Sequence, residues 1–265
     1  MGQIFAGFFK SLNLTCLVSD IGTQLSNEKL VAQCNVIIFS LPISKTVTVI
    51  ESLLPYISPE QMLVDFTSLK TAPIQAMLKS KAEVLGMHPM FGPGTESLKG
   101  QTIIYCASRK GKQTDSFLEL FKKAGLKLKA STPEKHDRMM SLIQALNHTN
   151  ALVMAKVISE FGEELKESLE YSGPVYLMRF DLIARMLSQS PELYADLALE
   201  NPFGREVFDK WQESARLISE IIANGDKQGF IDYFSQAAKS FSPILNSGLE
   251  RSNKIIKYLT ELEEE

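Results

Sequence analysis

The 265-residue sequence predicts an α/β fold, a mostly parallel sheet in its first half followed by an all-helical second half. Short apolar runs alternate with helical patterns as far as Ser131, as expected of strands joined by crossover helices. One run, "NVIIFSL" at 35–41, is apolar almost throughout, which suits a strand covered on both faces. From Thr132 onward no strand pattern recurs.

The elements follow in order. From Phe5 the chain reads as an amphipathic helix, and "LTCLVSD" at 14–20 as a strand ending in an acid. Further strands are predicted at 35–42, 61–68, 83–89, 102–108 and 126–131, with helices at 27–33, 44–55, 70–80 and 113–124 between them. The stretch "STPEKHDRMMSLIQALNHTNALVMAKVISEF" then reads as one continuous helix. Ser131 or Thr132 caps it, Pro133 lies in its first turn and Glu134 complements its N-terminal dipole. Its length exceeds the ~10–14 residues usual in globular proteins and favours a helical subunit interface. Helices at 165–189, 191–199, 204–224, 226–240 and 242–262 follow, broken at "SGP", "ENPFG" and "NGD". The chain therefore divides into residues 1–131 and 132–265.

With 45% hydrophobic and 22% charged residues, the composition is that of a soluble globular protein. A net charge of −3 exerts no long-range pull on nucleic acid or an anionic membrane. No apolar run approaches the ~18 residues of a membrane span, and the start lacks the basic and apolar regions of a signal peptide. Cys16, Cys34 and Cys106 are widely spaced with no CxxC, as expected of free thiols in a reducing, cytoplasmic setting. The three histidines lack metal-ligand spacing, so no metal is expected.

Candidate chemistry gathers at the predicted strand ends. Gly2 stands where the third glycine of a GxGxxG turn would let a helix pack close on a strand, and Asp20 falls 18 residues later. An acid there receives ribose hydroxyls and repels a 2′-phosphate, so these residues are either a dinucleotide site of a Rossmann-type half that prefers NAD or an ordinary helix and strand ending in Asp. Its first strand and first two fingerprint glycines are missing from the sequence. Ser40, Leu41 and Pro42 leave the next strand, either toward the cofactor or as an ordinary turn. Ser68 and Lys70 end "VDFTSLK", where Ser68 is either a ligand contact or a helix cap. "LGMHPMFGPGTES" is the sharpest stretch: His88 ends a strand and precedes a rigid Pro/Gly loop, where it is either a general base, since imidazole titrates near neutrality, or a structural histidine. His148 lies one helical turn after Gln144 and shares its face, whereas His136 reads as a surface residue. Arg185 interrupts an apolar helical stripe, either seeking an anion or snorkelling to solvent.

Taken together, "SLPIS", "VDFTSLKTAPIQAML", "LGMHPMFGPG", "EKHDRMMSLIQALNH", "SGPVYLMRFDLIARML", "SPELYADL" and "GDKQGFIDYF" resemble the prephenate dehydrogenase family, within the 6-phosphogluconate-dehydrogenase-like group. The resemblance covers nearly the whole chain, and "GMHPMFGP" followed by "QALNH" is its most specific part. It looks closest to the bacterial branch often fused behind a chorismate mutase, a region this sequence lacks. The resemblance implies that His88 is the catalytic base and that Ser68 holds it and the substrate hydroxyl. It assigns Arg185 to a substrate carboxylate and His148 to substrate or tyrosine, with Lys70 in a lesser substrate role. Gly2, Asp20, Ser40, Leu41 and Pro42 then meet NAD. The family differs within itself after "GP", where Glu96 is a candidate gate.

The implied reaction is the NAD-dependent oxidative decarboxylation of prephenate to 4-hydroxyphenylpyruvate, a step toward L-tyrosine. L-tyrosine is the implied feedback inhibitor, and a homodimer through the helical half the implied assembly. Arogenate is the alternative substrate. A cofactor-dead dimeric binding or regulatory paralogue is the non-enzymatic alternative, which retention of Ser68, His88, His148 and Arg185 argues against. The missing strand predicts an N-terminally incomplete chain, because unpaired buried backbone groups cost about 1–3 kcal/mol each.

Overall fold

A computed structural model describes residues 1–92, 94–95, 97–161 and 165–262. It separates into two compact units, Met1–Ala145 with Glu192–Gly204, and Leu146–Pro191 with Arg205–Glu265. The first unit therefore runs past Ser131 and recovers a second, later segment.

The first unit opens with α1 (Gly2–Ser11) and α2 (Asn27–Gln33), then β1 (Val36–Phe39) and α3 (Ile43–Leu53). It continues with β2 (Met62–Asp65), α4 (Thr71–Met77), β3 (Glu83–Pro89), β4 (Thr102–Arg109), α5 (Lys112–Lys123) and β5 (Lys127–Ala130). The five strands stand in the order β1-β2-β3-β4-β5. All pairs are parallel except β3 with β4, in register from Leu85↔Ala107 to Pro89↔Ile103, so the sheet is mostly parallel.

Alternation along the strands divides the core between two faces. Met62, Val64, Leu85, Met87 and Ile103 pack with Phe5, Phe9, Phe117 and Phe121 of α1 and α5. Leu63, Val84 and Cys106 pack with Val31, Ile50, Ile74 and Met77 of α2, α3 and α4. Cys16, Cys34 and Cys106 are all free thiols.

The strand expected at 14–20 does not form. A strand exists only through a neighbour's ladder, and β1 pairs with β2 alone. Leu14 and Val18 consequently remain 43% and 50% exposed. Asp20 ends no strand; it lies exposed in a turn, where its carboxylate accepts the Ile21 N–H and its carbonyl the Thr23 N–H.

The long helix is also interrupted. α6 (Pro133–Met140) passes into a π-helical segment, Ser141–Leu146, before α7 (Asn147–Glu160). The segment widens the hydrogen-bonded turn to i→i+5. Gln144 lies inside it, so the α-helical spacing that set Gln144 and His148 on one face does not apply.

In the second unit α7 is followed by α8 (Leu165–Glu170) and α9 (Pro174–Leu187). α10 (Pro191–Leu199) belongs almost wholly to the first unit, and α11 (Gly204–Ala223), α12 (Lys227–Phe241) and α13 (Leu245–Leu262) complete the second. α9 packs against α7 and α13. Trp211 on α11 donates to Asn150 on α7 at 3.3 Å, and Ser214 hydrogen-bonds Tyr233 across α11 and α12. Phe230, Phe234 and Phe241 stay exposed. Among the described residues no helix is long and apolar enough to cross a membrane.

Candidate active site

The site of the first unit is built where β2 and β3 end beneath the first turn of α4. Asp65 closes β2 and is fully buried, as is Lys70 just before α4. The Lys70 ammonium is bonded to the Asp65 carboxylate and donates to the Met87 carbonyl at 2.9 Å, with the Thr67 hydroxyl 3.4 Å away. Its aliphatic stem crosses Gly86, where an added Cβ would lie 3.1 Å from Lys70 Cδ and 2.5 Å from Ile74 Cδ1. Burial raises the Asp65 carboxyl and lowers the Lys70 ammonium, each opposed by the other's charge. Lys70, expected in a lesser substrate role, is thus placed in the interior. Its donors are used inside the protein, and it anchors the strand that carries His88.

His88 is 3% exposed near the end of β3. Burial, then the neighbouring His136 and Lys70, hold its pKa well below the usual imidazole value, so the ring is neutral at pH 7. Its Nδ1 lies 2.9 Å from His136 Nε2, and its Nε2 has no hydrogen-bond partner among the described residues. His136 Nδ1 in turn lies 2.8 Å from Asp137 Oδ1. That carboxylate also accepts the backbone N–H of Lys70 at 2.7 Å and of Thr71 at 2.8 Å. Burial opposes ionisation of Asp137, but the hydrogen bonds from His136, Thr71 and Lys70 prevail and its pKa is lowered.

His136 is thus not a surface residue; it is 1% exposed. Thr132, not Ser131, caps α6 by accepting the Lys135 N–H. This phasing turns His136 and Met140, one turn apart, to the interior. Adjacent His and Asp ahead of a buried Met were the available signal. Ser68 is half-buried and makes no hydrogen bond to His88, whose Nδ1 is taken by His136. Nor does Ser68 cap α4, since Asp137 receives the free amides there.

At the other expected site, Gly2 is the first residue of α1, and an added Cβ would meet Ser40 Cβ and Oγ at 3.4 Å. Ser40 is exposed beyond β1, Leu41 is half-buried and Pro42 precedes α3. α1 has no side-chain cap and no acid in its first turn. In the second unit His148 is half-buried near the start of α7, and burial lowers its pKa. Arg185 is exposed on α9, and its guanidinium has no acidic partner among the described residues. Pro93 and Glu96, the candidate gate, lie outside the described residues.

Residues 11–130 match the profile "Prephenate dehydrogenase, nucleotide-binding domain", and residues 132–236 match "Prephenate dehydrogenase, dimerization domain". The chain belongs to the prephenate dehydrogenase family. It is 32% identical to the "Probable arogenate/prephenate dehydrogenase" of Methanocaldococcus jannaschii, over 98% of this chain and 63% of the relative. It is 29% identical to the T-protein of Haemophilus influenzae, over 100% of this chain and 70% of that protein. The chain therefore spans somewhat under two thirds of the first relative and about 70% of the second. Its fold is similar to the crystal structure of prephenate dehydrogenase from A. aeolicus in complex with hydroxyphenyl propionate and NAD+. That similarity has a TM-score of 0.61 at 17% identity, over 79% of this chain and 76% of the other.

Proposed function

We propose that the chain is an NAD-dependent dehydrogenase that oxidatively decarboxylates prephenate, with His88 as general base. The observation that carries this reading is a buried imidazole with Nδ1 engaged and, among the described residues, no partner at Nε2, in a chain of this family. His88 Nε2 takes the proton of the ring hydroxyl as hydride leaves the same carbon. Loss of the ring carboxylate as CO₂ then leaves its bonding pair in the ring, which aromatises. The proton held on His88 returns to the phenolate oxygen, so 4-hydroxyphenylpyruvate forms with no net proton released. The protein's contribution is orientation and timing of proton transfer.

NAD fits the residues present. The uncapped N-terminus of α1 offers backbone N–H groups suited to a diphosphate, beside Gly2 and Ser40. Ser40, Leu41, Pro42 and the exposed Asp20 are the further residues that would hold it. When bound, NAD⁺ supplies the hydride acceptor. Arg185, exposed and with no acidic partner among the described residues, suits a substrate carboxylate, with His148 and Ser68 in supporting contacts. The dimerization-domain match and the exposed phenylalanines of α12 support a homodimer, and L-tyrosine is the proposed inhibitor.

Arogenate is the second substrate to test, because the relative from M. jannaschii is named for both compounds. The test is NADH formation followed by absorbance with each substrate. We expect prephenate to be preferred and His88→Asn to abolish turnover while substrate still binds. Retained turnover in that variant rejects His88 as the base, and preference for arogenate reassigns the substrate.

A further inference from the structure

We propose that His136 is a positioning residue that fixes the tautomer of His88. His136 Nε2 accepts the Nδ1 proton of His88 and Asp137 accepts the Nδ1 proton of His136, which leaves the His88 Nε2 lone pair for the reacting hydroxyl. The inference deepens the reading of His88 as base and rests on it.

The argument is a proton count along one chain of hydrogen bonds. The nitrogens of His88 and His136 are 2.9 Å apart, so one proton lies between the rings. If His136 carried it, His88 would hold its only proton on Nε2 and have no lone pair to offer. The far end of the chain decides the matter. Asp137 Oδ1 is an acceptor 2.8 Å from His136 Nδ1, so that nitrogen carries a proton. The carboxylate is held ionised by the Lys70 and Thr71 amides at the start of α4. Those donors already offset much of its charge, leaving less to support a cation on His136.

A neutral His136 with its proton on Nδ1 has a bare Nε2, and the donor facing it is then His88 Nδ1. The contact also survives turnover. After His88 takes a second proton both its nitrogens are donors, and only an unprotonated His136 Nε2 can still receive Nδ1. No proton need leave His88 for this role. The support is rigid: the Asp137 carbonyl accepts from Asn201 Nδ2 at 3.0 Å, and Asn201 Oδ1 accepts the Phe203 amide at 2.8 Å.

The test is the ¹⁵N–¹H spectrum of the His88 imidazole in the full chain at pH 7.5, with no substrate present. We expect a protonated Nδ1 and an unprotonated Nε2 in the wild type, and a mixture of both forms in His136→Leu. His136→Gln keeps an oxygen near the Nε2 position and should restore the wild-type form. In turnover, His136→Leu should lower kcat by about tenfold or more with KM little changed, part of the 10²–10⁴-fold that acid–base catalysis contributes. His136→Gln should recover part of that loss. A His88 protonated on Nε2 in the wild type overturns the proposal, as does an unchanged tautomer in His136→Leu. If the leucine variant fails to fold by circular dichroism, the wild-type and glutamine spectra decide. The spectrum needs no turnover, so it is independent of the His88→Asn test of the reaction itself.

Discussion

At the scale of single residues, the site is a set of ionisable groups removed from water and made compatible by pairing. Lys70 and Asp65 are fully buried partners. Removing one leaves the other charge uncompensated, at a cost of about 3–5 kcal/mol. Lys70→Ala should lose that much stability in urea denaturation, and the double substitution Lys70→Met with Asp65→Leu should lose clearly less. His88 gives a pH dependence whose sign is fixed by its lowered pKa. Below about pH 6.5 the unfolded ring binds a proton that the folded ring refuses. The unfolded state then binds more protons, so stability falls as the pH drops below that point and is restored above it. His88→Asn should flatten this decline between pH 6.5 and the lower folded pKa, measured by denaturant titration at several pH values. His148 is also lowered by burial and should leave a residual slope.

At the scale of elements, strands and helix ends decide where those residues go. Gly86 keeps β3 open under α4, since a Cβ there would lie 2.5 Å from Ile74 Cδ1 and 3.1 Å from Lys70 Cδ. Gly86→Ala should therefore cost about 1–3 kcal/mol by overpacking, read as a lower melting temperature. The strand and helix positions from residue 27 to residue 130 were legible in the sequence, because apolar period and turn residues are local signals. The segment at 14–20 shows the limit of such signals: it has the composition of a strand, but ladder pairing is a property of two segments. Amide hydrogen exchange should separate the two cases. We expect rapid exchange at 15–20 and the slowest exchange in β2 and β3, and protection at 15–20 equal to that of β2 would contradict the unpaired state. The π segment at Ser141–Leu146 was equally hidden, since its residues carry the same apolar spacing as an ordinary helix.

At the scale of the whole molecule, the chain holds two compact units, and the first is completed by residues 192–204 that are distant in sequence. That later segment carries Asn201, whose side chain holds the carbonyl of Asp137, the partner of His136. A substitution such as Asn201→Ala should thus act on the first unit although it lies well beyond Ser131. We expect it to lower the melting temperature, with a loss of about 1–3 kcal/mol for the buried group left unpaired. Family membership was also readable along most of the chain, because motifs such as "GMHPMFGPG" and "QALNH" combine uncommon residues at fixed spacing.

The sequence by itself determined the alternation of strands and helices, the helical second half, the candidate base His88 and the family. Each follows from local period or from a short motif. Only the tertiary structure decided which polar groups meet. It buried Lys70 against Asp65, withdrew His136 from the surface to His88, and placed Asp137 at the start of α4. The reason is that hydrogen bonds and desolvation depend on what surrounds a side chain. Partners 48 or 67 residues apart in sequence become neighbours only when the chain is folded.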